Sequence, residues 1–239
     1  MIKKFELDLS SKMTILGVEL FRIKALISFG NVKEGELGGY VEKEDNLSHS
    51  GNAWVSGNAR VYGNARVSGN AWVYGNARVY GNAWVSGDAE VSGDAEVYGN
   101  ARVYGNAWVY GNARVYGNAW VSGNAWVSGD AEVYGNARVY GNARVSGDAR
   151  VYGNAWVSGN AWVSGDAEVS KLNDYILFKN TWSSGRYFTY TKSNEMWKVG
   201  CFYGTGEELI KKAYEDSEVS GKHYEAYVNF VKTLEALDN

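Results

Sequence analysis

Gly51-Asn52-Ala53-Trp54-Val55-Ser56 is followed without a break by Gly57-Asn58-Ala59-Arg60-Val61-Tyr62 and Gly63-Asn64-Ala65-Arg66-Val67-Ser68, and the pattern Gly-(Asn/Asp)-Ala-x-Val-(Ser/Tyr) continues to Ser170. Twenty such hexads fill the span with no insertion. Ala and Val stand two apart, so in an extended segment both point to one side and x to the other. The inner side is therefore Ala and Val, and the outer side is Trp, Arg or Glu. Gly followed by Asn or Asp tolerates the positive φ of a corner. Each hexad reads as one short strand plus one corner, and it must stack on other hexads to bury its inner face.

The outer residues set the size of the coil. Every third hexad gives one column of Trp54, Trp72, Glu90, Trp108, Trp126, Arg144 and Trp162. The next is wholly charged: Arg60, Arg78, Glu96, Arg114, Glu132, Arg150 and Glu168. The last alternates: Arg66, Trp84, Arg102, Trp120, Arg138 and Trp156. A coil of three hexads segregates these types, whereas two or four hexads per coil would mix them. The expected fold is an all-β solenoid, a triangular parallel β-helix over 51–170. At about 4.8 Å per coil the prism is roughly 30 Å long.

A solenoid leaves open strand edges at its ends, which need caps. Residues 1–50 are read as the N-terminal cap, with strands over 11–26 and 39–41 and a degenerate hexad over 45–50. Residues 171–239 are read as a small α+β domain with strands over 175–178, 186–192 and 196–203. Thr205-Gly206-Glu207-Glu208 has the form of a capping box, predicting a helix over 206–217. A second helix over 220–237 would place Tyr224, Tyr227, Val228, Val231 and Leu234 on one face. This domain is either a plain cap or a recognition module.

The repeat, with a small and an aliphatic residue inward, resembles the left-handed β-helix of hexapeptide-repeat proteins. Its preface, Phe21-Arg22-Ile23-Lys24-Ala25-Leu26 and then Gly35-Glu36-Leu37-Gly38-Gly39-Tyr40-Val41-Glu42 on to Ser48, is similar to the opening of YdcK-type β-solenoid proteins of bacteria and phages. The left hand is implied by the resemblance, not by the spacing. A phage-encoded, host-interacting or anti-defence role is an expectation from the same source.

Composition bounds the function classes. The chain of 239 residues holds 30 Gly, 10 Trp and 18 Tyr but no Pro, and its net charge of −3 argues against nucleic acid as a partner. One cysteine, Cys201, excludes an intramolecular disulfide. No apolar run has signal-peptide or membrane-helix length. A cytoplasmic protein with no membrane partner is expected.

Many hexapeptide-repeat proteins are acyltransferases, and the resemblance makes that the enzyme alternative, with a His as general base. The only histidines, His49 and His223, lie outside the hexads and have no evident orienting carboxylate; both read as structural. Two His and one Cys far apart do not suggest zinc. Asp88, Asp94, Asp130, Asp148 and Asp166 replace Asn at corners, where either residue serves, and are read as structural rather than as a cation site. No catalytic residue, metal or cofactor is expected.

Vertical pairing explains two faces. Opposite charges in the charged column form cross-strand pairs, and Arg between indoles forms a cation–π ladder. The remaining column, Trp54, Trp72, Glu90, Trp108, Trp126, Arg144 and Trp162, is a larger apolar patch than a monomer leaves open. It is the expected binding surface, most simply for a second copy: an antiparallel two-fold sets Glu90 against Arg144. A host protein, or a small molecule or sugar sequestered between Trp rings, is the alternative occupant. The twenty hexads contain no Thr, against an ice-binding face.

Overall fold

The computed structural model describes residues 2–238. Strands β1 (Phe5–Ile15) and β2 (Val18–Ala25) form an antiparallel hairpin, turning at Leu16 and Gly17, which have φ of 47° and 82°. The single strand expected over 11–26 is thus two, because a Leu-Gly turn carries no Asn or Asp to announce it. β3 (Leu37–Val41) pairs antiparallel with β2 and parallel with the solenoid, matching Tyr40 to Arg60 and Val41 to Val61. It converts the antiparallel cap into the parallel coil.

The solenoid strands run from β4 (Trp54–Val55) to β23 (Glu168–Val169), each two residues long and one per hexad. Pairing follows the three columns: Trp108 lies on Trp126, Glu96 on Arg114, and Arg102 on Trp120, each 18 residues apart. Coils are tied by backbone bonds such as Trp108 N–H to Ala125 C=O at 2.9 Å and Tyr110 N–H to Val127 C=O at 3.0 Å. The hexad Ala and Val side chains are at most 1% exposed and form one continuous core. Gly at the corner is required twice over. Gly105 has φ +73°, and a Cβ there would sit 3.0 Å from the Gly123 backbone nitrogen one coil on.

Side-chain ladders run up the corners. Asn amides link coil to coil, as in Asn100 to Asn118 and Asn118 to Asn136 at 3.0 and 3.1 Å. Tyr62, Tyr80, Tyr98, Tyr116, Tyr134 and Tyr152 stack with centroids 4.9–5.2 Å apart and planes within 8°. The charged column is not a continuous ladder. Arg78 pairs with Glu96, Arg114 with Glu132 and Arg150 with Glu168, and each Glu also accepts from the Tyr80, Tyr116 or Tyr152 hydroxyl. This Arg–Tyr–Glu unit recurs every two coils.

The two ends call for opposite chemistry. At the N-terminal end the first coil offers carbonyls, and the cap supplies donors. Tyr40 and Glu42 N–H reach Ala59 and Val61, Ser48 N–H reaches Val67, and the buried Asn46 amide reaches Gly63 and Ala65. The Lys4 ammonium, 2% exposed, donates to Gly51 and Ala53. Burial pulls its pKa from 10.5 to about 8. At the other end the last coil offers N–H groups, and side-chain oxygens accept them: Trp162 N–H to Thr189 Oγ1 and Glu168 N–H to Ser193 Oγ, both at 2.8 Å.

Those acceptors belong to the C-terminal domain, an antiparallel sheet of β24 (Tyr175–Lys179), β25 (Tyr187–Thr191), β26 (Met196–Val199) and β27 (Phe202–Gly204). The strand expected over 196–203 is a hairpin broken at Gly200, φ +57°. Alternation along β24 divides the labour: Tyr175 and Leu177 pack on the solenoid core, while Ile176 and Phe178 pack toward α1 (Gly206–Asp216) and α2 (Glu218–Asp238). Thr205 forms the predicted capping box, accepting from Glu208 N–H at 3.3 Å. Tyr224, Val228 and Val231 are the buried face of α2.

Candidate binding surface

The Trp column is the seven-stranded sheet of the solenoid, but the caps claim both ends of it. Trp54 is 1% exposed, under Phe29, whose ring meets it edge-on at 5.4 Å. It is core, and the expectation that it belongs to the open face is corrected: residues 29–38 of the cap fold back over the first coil. Trp162 is half-buried against the C-terminal domain, with Lys198 Nζ 4.1 Å from its ring and its indole N–H on Ser146 Oγ at 2.9 Å.

Between the caps lie Trp72, Glu90, Trp108, Trp126 and Arg144. Trp108, 41% exposed, stacks on Trp126 at 5.5 Å, and Arg144 is clamped between Trp126 and Trp162 at 4.7 and 5.2 Å. Trp126 thus has Trp108 over one plane and Arg144 against the ring as well. Such packing spends the faces a sugar or base would stack on. The two charges remain unpaired: Glu90 accepts only from the Tyr74 hydroxyl at 3.0 Å, and Arg144 has no carboxylate within 4.0 Å among the described residues.

The alternating column holds the expected ladder. Arg102 lies between Trp84 and Trp120 at 5.6 and 5.4 Å, and Arg138 between Trp120 and Trp156 at 4.8 and 5.2 Å. Arg66 stands at its end, outside the clamp. A YdcK β-solenoid repeat family model matches residues 59–75, 72–87, 95–111, 107–123, 113–129, 131–147, 137–151, 143–159 and 149–165. The repeats are YdcK-type β-solenoid repeats. No curated protein matches the chain significantly. The YdcK-type matches lie wholly within the solenoid, and the preface over 21–48 lies outside them.

His49 differs from its expected surroundings. Glu44 Oε2 lies 3.6 Å from its Nε2, brought there by a short 3-10 turn over Glu44–Asn46. Its Nδ1 accepts the Lys4 N–H at 3.2 Å, and its ring stacks on Phe5 at 4.3 Å. Accepting at Nδ1 places the neutral ring's proton on Nε2 and leaves no free lone pair for a base. His223 bonds the Val219 carbonyl at 2.7 Å and stacks on Trp182 at 4.5 Å. No group of three His, Cys, Asp or Glu suited to a metal occurs among the described residues. No described helix is long and apolar enough to cross a membrane.

The C-terminal domain carries a feature that sequence reasoning missed. A cavity of about 370 Å³ opens between the C-terminal sheet and α1, with Arg186, Cys201, Lys212, Asp216 and Tyr224 on its wall. Its residues come from the β24–β25 loop, β25, the β26–β27 turn and both helices, so no local spacing marks it.

Proposed function

We propose that this protein is a non-catalytic binding scaffold whose Trp face pairs with a second copy of the chain in an antiparallel two-fold. One observation carries the reading. Glu90, Trp108, Trp126 and Arg144 follow one another up the face at one-coil steps, and its two charges have no ion pair among the described residues. A two-fold axis along the strand direction, between Trp108 and Trp126, reverses that order. Each Glu90 then meets the partner copy's arginine, and the two tryptophans cover each other. Burying the indoles relieves the apolar exposure, and the cross-pair fixes the register. The packing of Trp108 and Arg144 on the Trp126 ring weakens the sugar-stacking alternative, and the engaged Nδ1 of His49 weakens the acyltransferase alternative. A host-interacting role rests on family resemblance alone and is not part of the proposal.

The test is mass in solution by analytical ultracentrifugation. The unaltered chain is expected at twice its monomer mass. Trp108→Glu with Trp126→Glu should give monomer, as should Glu90→Arg or Arg144→Glu alone, while the double swap Glu90→Arg/Arg144→Glu restores the dimer. A monomeric parent, or a swap that fails to restore, overturns the proposal.

A further inference from the structure

We propose that the Arg–Trp face binds an acidic peptide in polyproline II form, carrying a carboxylate at every third residue. The face is separate from the Trp face, so this inference stands whether or not the chain self-associates. Arg66, Arg102 and Arg138 are exposed and have no carboxylate within 4.0 Å among the described residues, whereas Arg78, Arg114 and Arg150 on the charged face are all paired. In a chain of net charge −3, Arg102 and Arg138 are therefore uncompensated on one flat side, while Arg66 shares a groove with Glu44 and Asp45 of the cap.

Their geometry selects the ligand. Indoles flank the Arg102 and Arg138 guanidinium groups from the coil above and the coil below, which leaves their outward N–H groups to a ligand. A guanidinium edge is the fork that meets a carboxylate with two bonds. The same clamp sets an arginine against Trp120 from the coil above and the coil below, removing the stacking platform that single-stranded nucleic acid uses. The flanking Asn82, Asn100 and Asn118 amides are bonded to one another and neutral, and with Trp84, Arg102 and Trp120 they line a shallow groove of about 360 Å³. Arg recurs every second coil, about 9.6 Å at the usual strand spacing. A polyproline II chain rises about 3.1 Å per residue with three per turn, so one side chain in three returns to the same side every ~9.3 Å. A β-strand ligand repeats its same-side residues at roughly 6.6 Å and falls out of phase.

The experiment is fluorescence anisotropy with labelled (Glu-Pro-Pro)4. The controls are (Glu-Pro)4 and (Glu-Pro-Pro-Pro)4, of equal charge but different spacing, and an oligothymidylate. The three-residue spacing is expected to bind at least about fivefold tighter than the other probes. Arg102→Gln with Arg138→Gln should weaken it about tenfold, and Arg114→Gln with Arg150→Gln should leave it within about twofold. Circular dichroism checks that each variant keeps its strands. Should the first variant lose them, Arg66→Gln, outside the indole clamp, carries the comparison with an expected loss of about threefold. Equal affinity for the three spacings, tighter binding of oligothymidylate, no measurable binding at about 1 mM, or indifference to the arginine changes overturns the inference.

Discussion

Asn46 shows how much one side chain carries at the end of a solenoid. It is fully buried; its amide nitrogen serves the Gly63 and Ala65 carbonyls, and its oxygen accepts from Lys43 N–H at 2.9 Å. Among the described residues no backbone N–H reaches those two carbonyls, because the cap strand has ended and the short 3-10 turn has begun. Asn46→Leu keeps the branched shape but strands two carbonyls and one N–H, each buried polar group costing about 1–3 kcal/mol. The expected outcome is a clear fall in urea midpoint with the m-value unchanged. Ala at the same site should behave like Leu, since the bonds and not the volume are at stake.

The corner of stacked tyrosines behaves as one element. Burial, more than any other cause, raises the Tyr80 and Tyr116 pKa values above the ordinary 10, and the carboxylates of Glu96 and Glu132 that accept their hydroxyls push the same way. The folded state therefore holds these protons more tightly than the unfolded chain. Their contribution is fully present below pH 10 and is lost as pH rises further, because the unfolded state ionises first. Lys4 acts oppositely: the folded form sheds its proton near 8 and the unfolded chain near 10.5, so stability rises between those values. Melting temperature is expected to hold or rise to about pH 10 and then fall steeply. The part of the tyrosinate absorbance that Tyr80→Phe with Tyr116→Phe removes should appear together with unfolding rather than before it. Titration of Tyr80 or Tyr116 at an ordinary pH in the still-folded protein would contradict this account.

At the scale of the whole molecule the energetic repeat is two coils, not one. The Arg–Tyr–Glu unit recurs every 36 residues, as does the Arg–Trp alternation. Removing residues 93–128 deletes two coils and keeps the charged and Arg–Trp columns in phase, setting Arg78 against Glu132 and Trp84 against Arg138. Removing residues 93–110 deletes one coil and sets Arg78 against Arg114. Like charges opposed across strands are destabilising by some tenths of a kcal/mol each. Stability in a plain stack would fall in proportion to coils removed. The two-coil deletion is expected to cost less than twice the one-coil deletion in guanidinium unfolding. Strict proportionality would show that the outer columns carry no phase energy.

The sequence by itself determined the three-hexad coil, the three columns, the inward Ala and Val, the corner glycines, the Arg–Trp ladder and the capping box at Thr205. Each of these depends on spacing along the chain, of two, six, eighteen or three residues, and spacing survives in one dimension. Only the tertiary structure decided that Trp54 is core, that residues 5–25 are a hairpin, that Glu44 sits beside His49, and that the charged column breaks into separate clusters. It also decided that the first coil is closed by donors and the last by acceptors, and where the cavity of the C-terminal domain lies. Those facts depend on chain segments meeting at the ends of the prism, where the repeat stops and no period is left to read. The open Trp face was legible as a column, but which of its residues remain open was settled by the caps that fold over either end.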